Sequence, residues 1–342
     1  MADTNHSSDY TIECPRAPEY GEAVTSARRR STPKSPSGDL PPLPRLEYNL
    51  MDHKRKLFVV SGLMIFEGSL LPIALFYPLW YYTDLRHGII FAIITSFFGL
   101  VSGLEFAHRS WRLIHKNDKY RPLDGTRWRF DFTHWMLSIF YTLMTGILIG
   151  ASIPYEPLVR PLAIPVPLFF VGGGTLCLVT GTMSALKMGA LCKVSSIPKG
   201  AHQPPYVLTA VEDVVGVDGG GARRFRRRLL ERYKVSRDFR RLISMLNWFW
   251  GIGSVVSGTA TLAAVWAIPQ EEIAYGVGWG EPFIFLVVWT WITVVWARHG
   301  LRQEKKKWAE GSSRDKAAVM EPVDDRYNGS VLGGGGVGNP QL

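Results

Sequence analysis

Six long apolar stretches, separated by polar connectors, dominate the pattern of this 342-residue chain. A helix needs about 20 predominantly apolar residues to cross a hydrocarbon core about 30 Å thick, and each stretch meets that length. The pattern therefore predicts an all-α fold, a polytopic membrane bundle of six transmembrane helices. The predicted spans are residues 57–82, 88–107, 133–152, 162–186, 243–268 and 278–297.

Basic residues alternate between the connectors and predict the orientation of the spans. In chain order, the five connectors carry 1, 7, 1, 13 and 0 Lys and Arg residues. Because basic segments beside a span resist translocation, they stay on the cytosolic side of the membrane. The second and fourth connectors and both termini are therefore predicted to be cytosolic.

The same basic residues bear on whether the partner is a nucleic acid or an anionic membrane lipid. The net charge is +10, and most of it lies on the predicted cytosolic side. Since membrane topology already accounts for these charges, we expect no nucleic-acid partner and expect attraction to anionic membrane lipids instead.

Composition divides the chain into three parts. Residues 1–50 are polar and rich in Pro and Ser, and residues 309–342 end in a Gly-rich run. Such segments bury too little apolar surface to fold, so both are predicted to be disordered tails. Residues 51–308 form the predicted membrane domain, which includes a large basic cytosolic loop at 187–242. The first span is the expected insertion signal, and the endoplasmic reticulum is the expected membrane.

Several familiar sites are missing from the sequence. The three cysteines, Cys14, Cys177 and Cys192, have neither CxxC nor Cys/His spacing, so we expect no disulfide framework and no zinc site. There is no phosphate-binding GxxxxGK[ST] loop, no HExxH and no GxSxG, and no span carries the paired Asp-rich motifs that chelate Mg²⁺. The sequence therefore predicts neither a metal nor a cofactor.

Two GxxxG pairs lie within the predicted spans. Gly99 and Gly103 are four residues apart in the second span, and Gly146 and Gly150 are four apart in the third. Small residues at this spacing let two helix backbones approach closely. The pairs therefore predict helix–helix contacts.

A single carboxylate lies deep in the first predicted span. Glu67 is about 15 Å into that helix at about 1.5 Å per residue, where loss of water favours the neutral form of the side chain. A neutral Glu67 that hydrogen-bonds across a helix pair is one interpretation. A proton donor or a cavity-lining residue is the other, because ionisable residues inside a membrane are often functional.

A second group of polar side chains lies at the predicted cytosolic ends of the helices. Glu105 ends the second span, and Asp131 and His134 begin the third. A structural role is open for Asp131, which can complement the N-terminal dipole of that helix. A catalytic role for all three is the alternative. Three residues of the fifth span share this level and are candidates to line a substrate site: Asn247, Trp248 and Trp250.

The long basic loop holds two more candidate acids. Glu212 and Asp213 lie in an apolar, β-branched segment that predicts a short helix or strand under the bundle. Farther along, Phe225, Leu229 and Tyr233 recur every four residues among arginines, which predicts a basic amphipathic helix on the membrane surface. The loop is either a lipid-facing linker or a lid with the acids turned inward. The arginines could also hold a phosphate or a carboxylate.

Three segments carry a family resemblance: LEFAHRSWRL, KYRPLDGTRWRFDFTHW, and PPYVLTAVEDVVGVDGGG followed by RFRRRLLERY. They resemble a group of fungal multi-span membrane proteins, some of which are similar to membrane-bound terpene cyclases of meroterpenoid pathways, of the ascofuranone and macrophorin type. The resemblance implies protonation-initiated cyclisation of a hydrophobic prenylated substrate without a metal. Such chemistry needs a neutral acid and aromatic faces near the cation.

Three functions follow as hypotheses. The first is this terpene cyclase, with its acid among Glu67, Glu105, Asp131, Glu212 and Asp213. The second is a non-enzymatic membrane protein that organises lipids or partners through its basic face. The third is a transporter, which would need a polar path through both leaflets, whereas the polar groups here crowd one end.

Overall fold

The computed structural model describes residues 66–115, 119–123 and 130–320, together with 43, 44, 46 and 62, and it describes side chains as far as residue 310 except at 67, 101 and 102. The chain divides into two compact units, and the helical bundle is the unit Pro42–Trp308. Of the other unit, the structure describes only residues 309–320, the end of the last helix. Apart from these residues and residues 43, 44 and 46, the predicted tails lie outside the described residues.

The described residues form helices and no strands, as the sequence predicts. The helices are α1 Leu71–Tyr82, α2 His87–His115, α3 Phe132–Ser152, α4 Val159–Leu162, α5 Pro165–Ala185, α6 Tyr206–Asp213, α7 Ala222–Val235, α8 Arg237–Ala267 and α9 Glu271–Met320. Two π-helical segments adjoin them, Phe66–Leu70 before α1 and Val214–Asp218 after α6.

Five of these helices are long and apolar enough to cross a membrane: α2, α3, α5, α8 and α9. They coincide with the second to sixth predicted spans, which confirms those five as helices. The first predicted span is described from residue 66, where a π-helical segment leads into α1. Six spans therefore stay a prediction.

Glycines set the contact between α5 and α8. A Cβ on Gly174 would lie 2.9 Å from the carbonyl oxygen of Gly251, and a Cβ on Gly258 would lie 2.8 Å from that of Pro167. The two helix backbones can approach this closely only because glycine has no side chain. This pair of helices forms the centre of the bundle at the site described below.

The predicted GxxxG contacts are wrong for the described part of the chain. A Cβ added at Gly99, Gly103, Gly146 or Gly150 would meet no described atom within 4 Å. Spacing alone identifies glycines that permit close approach, but it does not show which face of a helix turns toward a neighbour.

Helix α7 confirms the predicted amphipathic helix, but its apolar face does not lie on a membrane surface. Phe225 and Leu229 are buried against Leu208 of α6 and Phe239 and Ile243 of α8. The apolar stripe therefore packs on the bundle, because α6 and α8 offer a complementary apolar surface within the same chain.

Candidate functional site: a buried ionic cluster beside an apolar cavity

Helix α6 is held at its first turn by two buried side chains of the bundle. The Tyr206 N–H donates to Thr180 Oγ1 at 3.1 Å, and the Val207 N–H donates to Asn247 Oδ1 at 3.2 Å. Asn247 also donates to the carbonyl oxygen of Cys177 at 2.7 Å. These bonds satisfy N–H groups that have no partner inside the helix, and they fix α6 across the ends of α5 and α8.

Arg226 joins three buried carboxylates. Its Nη1 lies 2.5 Å from Asp213 Oδ1 and 3.0 Å from Glu212 Oε1, and its Nη2 lies 3.5 Å from Asp131 Oδ2. Arg226 and the three acids are each at most 1% exposed. A guanidinium and carboxylates survive such burial only when they are paired and hydrogen-bonded. The cluster of Asp131, Glu212, Asp213 and Arg226, with Arg109, is called the ionic cluster below.

Three hydroxyl groups complete the bonding of these acids. Ser195 and Thr133 donate to Asp213 Oδ2 at 2.6 and 2.8 Å, and Ser196 donates to Glu212 Oε1 at 2.5 Å. The two serines come from the segment between α5 and α6, where Ser195 adopts a left-handed backbone with φ of 47°. An unfavourable backbone at a non-glycine residue persists only where the surroundings hold it.

Arg109 brings helix α2 into the same cluster. It donates to Asp131 Oδ2 at 2.7 Å and also pairs with Asp218, the last residue of the π-helical segment after α6. Arg112, one turn farther along α2, donates to the carbonyl oxygen of Val217 at 3.1 Å. Elements from five parts of the chain therefore meet at one ionic centre.

Asp131 and His134 each have a structural role in the cluster. Asp131 caps α3 by accepting a hydrogen bond from the His134 N–H at 2.7 Å, a closer role than the dipole interaction that the sequence predicts for it. The His134 ring is stacked between Phe106 and Phe130, with centroids 4.4 Å from each. Its Nε2 lies 3.5 Å from Ser110 Oγ, and its buried Nδ1 has no hydrogen-bond partner among the described residues.

Two acids of the ionic cluster, Glu212 and Asp131, have raised pKa values. Burial, followed by the neighbouring Asp213, raises the pKa of Glu212 to about 7 and that of Asp131 to about 6. The Arg226 guanidinium lowers the pKa of both acids, and the Arg109 guanidinium lowers that of Asp131, but neither outweighs burial. Near neutral pH the cluster can therefore hold or release a proton. No group of three or more His, Cys, Asp or Glu side chains in the described ranges is arranged to bind a metal ion.

An apolar cavity of about 550 Å³ lies on the other side of α6. Val207, Ala210 and Val211 of α6 line it, whereas Glu212 and Asp213 face the ionic cluster. Successive helix residues are about 100° apart, so these sets occupy opposite faces of α6. Aromatic rings form much of the remaining wall: Phe169, Phe170, Phe225, Phe239 and Trp250.

The structure separates the sequence-predicted residues into three groups. It brings Asp131, His134, Glu212 and Asp213 together in or beside the ionic cluster. Of the predicted lining residues, Trp250 lines the cavity and donates from Nε1 to Thr293 Oγ1 at 3.0 Å.

The other candidates lie elsewhere. Asn247 is fully buried under α6, and Trp248 lies against Gly181 of α5. Glu105 is partly buried on α2, one turn before Arg109. Glu67 lies in the first π-helical segment, and its side chain falls outside the described residues.

Sequence reasoning missed another carboxylate within the predicted spans. Glu281 lies within α9, where Ser257 of α8 donates to its Oε1 at 3.0 Å and Thr261 of α8 also hydrogen-bonds to it. Its signal was a charged residue followed by proline inside the sixth predicted span. Ser254, less than one helical turn before Ser257, lines the cavity, so Glu281 lies near that end of the cavity.

Fold and site together define a class: an all-helical protein with five helices long and apolar enough to cross a membrane, consistent with a membrane protein. Residues 31–308 match the family "Domain of unknown function (DUF8766)", and the chain belongs to this family. A search of curated proteins and a search of solved structures found no match.

Proposed function

We propose that this chain is an integral membrane protein that binds one apolar, chain-like molecule, a prenyl or acyl lipid, inside its helical bundle. The observation that carries the proposal is the cavity of about 550 Å³ with aromatic and aliphatic walls. Its volume lies within the range of about 300 to 1,000 Å³ that is usual for small-molecule sites. Apolar walls favour a molecule whose apolar surface loses contact with water when it binds.

The extent of the cavity suits an extended chain. Its lining residues on α8 run from Phe239 to Ser254, and those on α9 run from Leu286 to Leu301. At about 1.5 Å per residue, each of these stretches covers roughly 22 Å of helix. A prenyl or acyl chain laid along α8 would contact both helices over this length.

Filling the cavity tests the proposal. Ala297 lines the cavity from α9, whereas Val295 is on the same helix and is 52% exposed. We expect protein purified in mild detergent to retain a lipid that native mass spectrometry detects, and we expect Ala297→Phe to abolish the retention. Val295→Phe is the matched control, since it adds a ring outside the cavity. Equal retention by both variants would show that the lipid is bound elsewhere.

The proposal includes the predicted orientation, with the arginine-rich end of the bundle in the cytosol and the endoplasmic reticulum as the host membrane. The excess of Lys and Arg in the connectors supports this orientation. Fluorescence imaging of the tagged full-length chain against organelle markers tests the choice of membrane, and a plasma-membrane signal would contradict it.

Cyclisation of a prenylated substrate in the same cavity is the second candidate function. Two observations favour it. Six aromatic rings line the cavity and could stabilise a cation, and Glu281 lies near the Ser254 end of the cavity. The α6 acids face away from the cavity, so Glu281 is the better candidate for the proton donor.

Product analysis tests this second function. Cells that supply a farnesylated aromatic compound or its epoxide are expected to form a cyclised isomer only when they express the chain. Glu281→Gln should abolish the product, whereas Glu271→Gln, at a half-exposed position of the same helix, should retain it. If the wild type binds the compound but yields no isomer, the function is binding alone.

A further inference from the structure

A second cavity, polar and separate from the first, opens at the arginine-rich end of the bundle. It encloses about 660 Å³ between the end of α5, His202 and the corner where α7 meets α8. Three arginines at the start of α8 line it, Arg237, Arg240 and Arg241. It is called the basic groove below.

The charges of the basic groove are not balanced within the described protein. Asp238 is its one carboxylate, and Lys307 Nζ lies 3.3 Å from Asp238 Oδ1. Arg240 is held in place by bonds to the carbonyl oxygens of Tyr233 at 3.0 Å and Lys234 at 2.7 Å. The guanidiniums of Arg237 and Arg241 make no hydrogen bond or ion pair with any described residue. Three guanidiniums with unused donors favour an anion with several oxygens, such as a phosphate.

The start of α8 adds to this preference. Ser236 caps the helix by accepting the Phe239 N–H at 3.1 Å, so the first turn of α8 begins at the groove. A helix N-terminus carries a partial positive charge, and this favours a bound anion. The effect reinforces the arginines and adds no charge that would repel a phosphate.

The residues beside the basic groove are apolar and exposed. A soluble phosphate would make no use of such residues, because it has no apolar part to place against them. Leu186 follows the lining residue Ala185 and is 67% exposed, and Leu191 on the same connecting segment is 74% exposed. Met245 follows the lining residue Ser244 and is 40% exposed. Basic residues beside exposed apolar residues suit a molecule with a phosphate head and acyl chains.

We propose that the basic groove binds the phosphate of an anionic phospholipid at the membrane interface. The site rests on the proposed membrane location but not on the ligand of the apolar cavity. Arg237, Arg241 and Ser244 face the groove, whereas Phe239 and Leu242 face the cavity. Given about 100° between successive helix residues, the two sites lie on opposite sides of α8.

The test titrates purified full-length protein in detergent with phosphatidylglycerol, phosphatidylcholine or glycerol 3-phosphate and counts bound molecules by native mass spectrometry. We expect phosphatidylglycerol to bind most tightly. The double variant Arg237→Ala/Arg241→Ala should weaken its binding by about tenfold or more, since each basic residue contributes to the attraction. Both side chains are exposed, so unchanged thermal unfolding is expected.

A matched double variant separates a site from a general charge effect. Arg302→Ala/Lys305→Ala removes the same charge from exposed positions of α9 and should leave phosphatidylglycerol binding unchanged. Equal weakening by both double variants, or none by the first, would overturn the proposal. If glycerol 3-phosphate bound as tightly as phosphatidylglycerol, the claim that the bound phosphate belongs to a lipid would be wrong. Ala297→Phe, which fills the apolar cavity, should leave phosphatidylglycerol binding to the basic groove unchanged. The two proposals can therefore fail independently of each other.

Discussion

Arg226 is the residue on which the ionic cluster depends. It is fully buried and contacts three acids from two parts of the chain. A Cβ on Gly216 would lie 2.8 Å from its Nε, so that glycine leaves the room in which the guanidinium lies. Because the acids are buried as deeply as Arg226, losing it would leave negative charge in a medium that solvates charge poorly.

We expect Arg226→Met to destabilise the protein by about 3 kcal/mol, the usual cost of removing one partner of a buried ion pair. Thermal unfolding of the purified protein in detergent measures the change. Arg227→Met, at an exposed position next to it, is the control and should unfold as the wild type does. Similar unfolding of the two variants would show that the acids are neutral without Arg226.

The raised pKa of Glu212 predicts a pH dependence of stability. The native state holds a proton on Glu212 up to about pH 7, whereas the unfolded chain releases it near the ordinary value of 4.5. The native state therefore binds more protons between these values, and the stability from this group is lost as pH rises through about 7. Asp131 acts in the same direction at lower pH.

Glu212→Gln isolates this contribution, because glutamine is neutral at every pH and can still accept the Ser196 hydroxyl. We expect the unfolding temperature of the wild type to fall relative to that of Glu212→Gln as the pH rises from about 4.5 to about 7. Parallel curves for the two proteins over this range would contradict the protonated Glu212.

At the scale of elements, α6 separates two environments. Glu212 and Asp213 on one face of α6 belong to the ionic cluster, whereas Val207, Ala210 and Val211 on the opposite face line the apolar cavity. Helices α5 and α8 form the floor on which α6 lies, through Thr180 and Asn247. The geometry of both sites therefore depends on how closely α5 and α8 approach each other.

Gly258→Ala tests that approach. Its new Cβ would lie 2.8 Å from the Pro167 carbonyl oxygen and 2.9 Å from Val171 Cγ2, so the helices would have to separate. We expect a loss of stability of about 1–3 kcal/mol, as for other overpacked sites, together with weaker lipid retention. Gly146→Ala gains the same helix propensity at an open position and should be at least as stable as the wild type.

At the scale of the whole molecule, the distribution of Lys and Arg predicts the orientation of the chain in the membrane. The predicted orientation places both termini and the segment 187–242 in the cytosol. A glycosylation acceptor at the C-terminus should stay unmodified, and one inserted between α1 and α2, at 83–86, should receive a glycan. Gel mobility with and without glycosidase measures both. A glycan at the C-terminus alone would reverse the orientation.

Much of the fold could be predicted from the sequence, but less of the site could. Apolar length located α2, α3, α5, α8 and α9, and a four-residue period located α7. The sequence identifies Glu212 and Asp213 as candidates by their apolar neighbours, and Asp131 by its position at the start of a predicted span. It does not identify their shared partner, since Arg226 is one of several arginines between 223 and 228 and its neighbours in sequence do not show which of them turns inward.

The same limit applies to the residues that hold the acids. Ser195 and Ser196 lie in an irregular segment with no periodic pattern, and their hydroxyls reach the acids only through the backbone that this segment adopts. The apolar cavity is lined from five helices, so no single stretch of sequence predicts it. Glu281 lies within a predicted span, but its partners Ser257 and Thr261 belong to another helix, so the sequence does not show them.

The sequence by itself determined which segments are helices able to cross a membrane, because the free energy of transferring a segment into lipid depends on the segment's own side chains. Only the tertiary structure decided which charges neutralise one another, which glycines bring helices together and where a cavity remains. Those properties depend on distances between residues far apart in the chain, such as Asp131 and Arg226, and packing alone sets these distances.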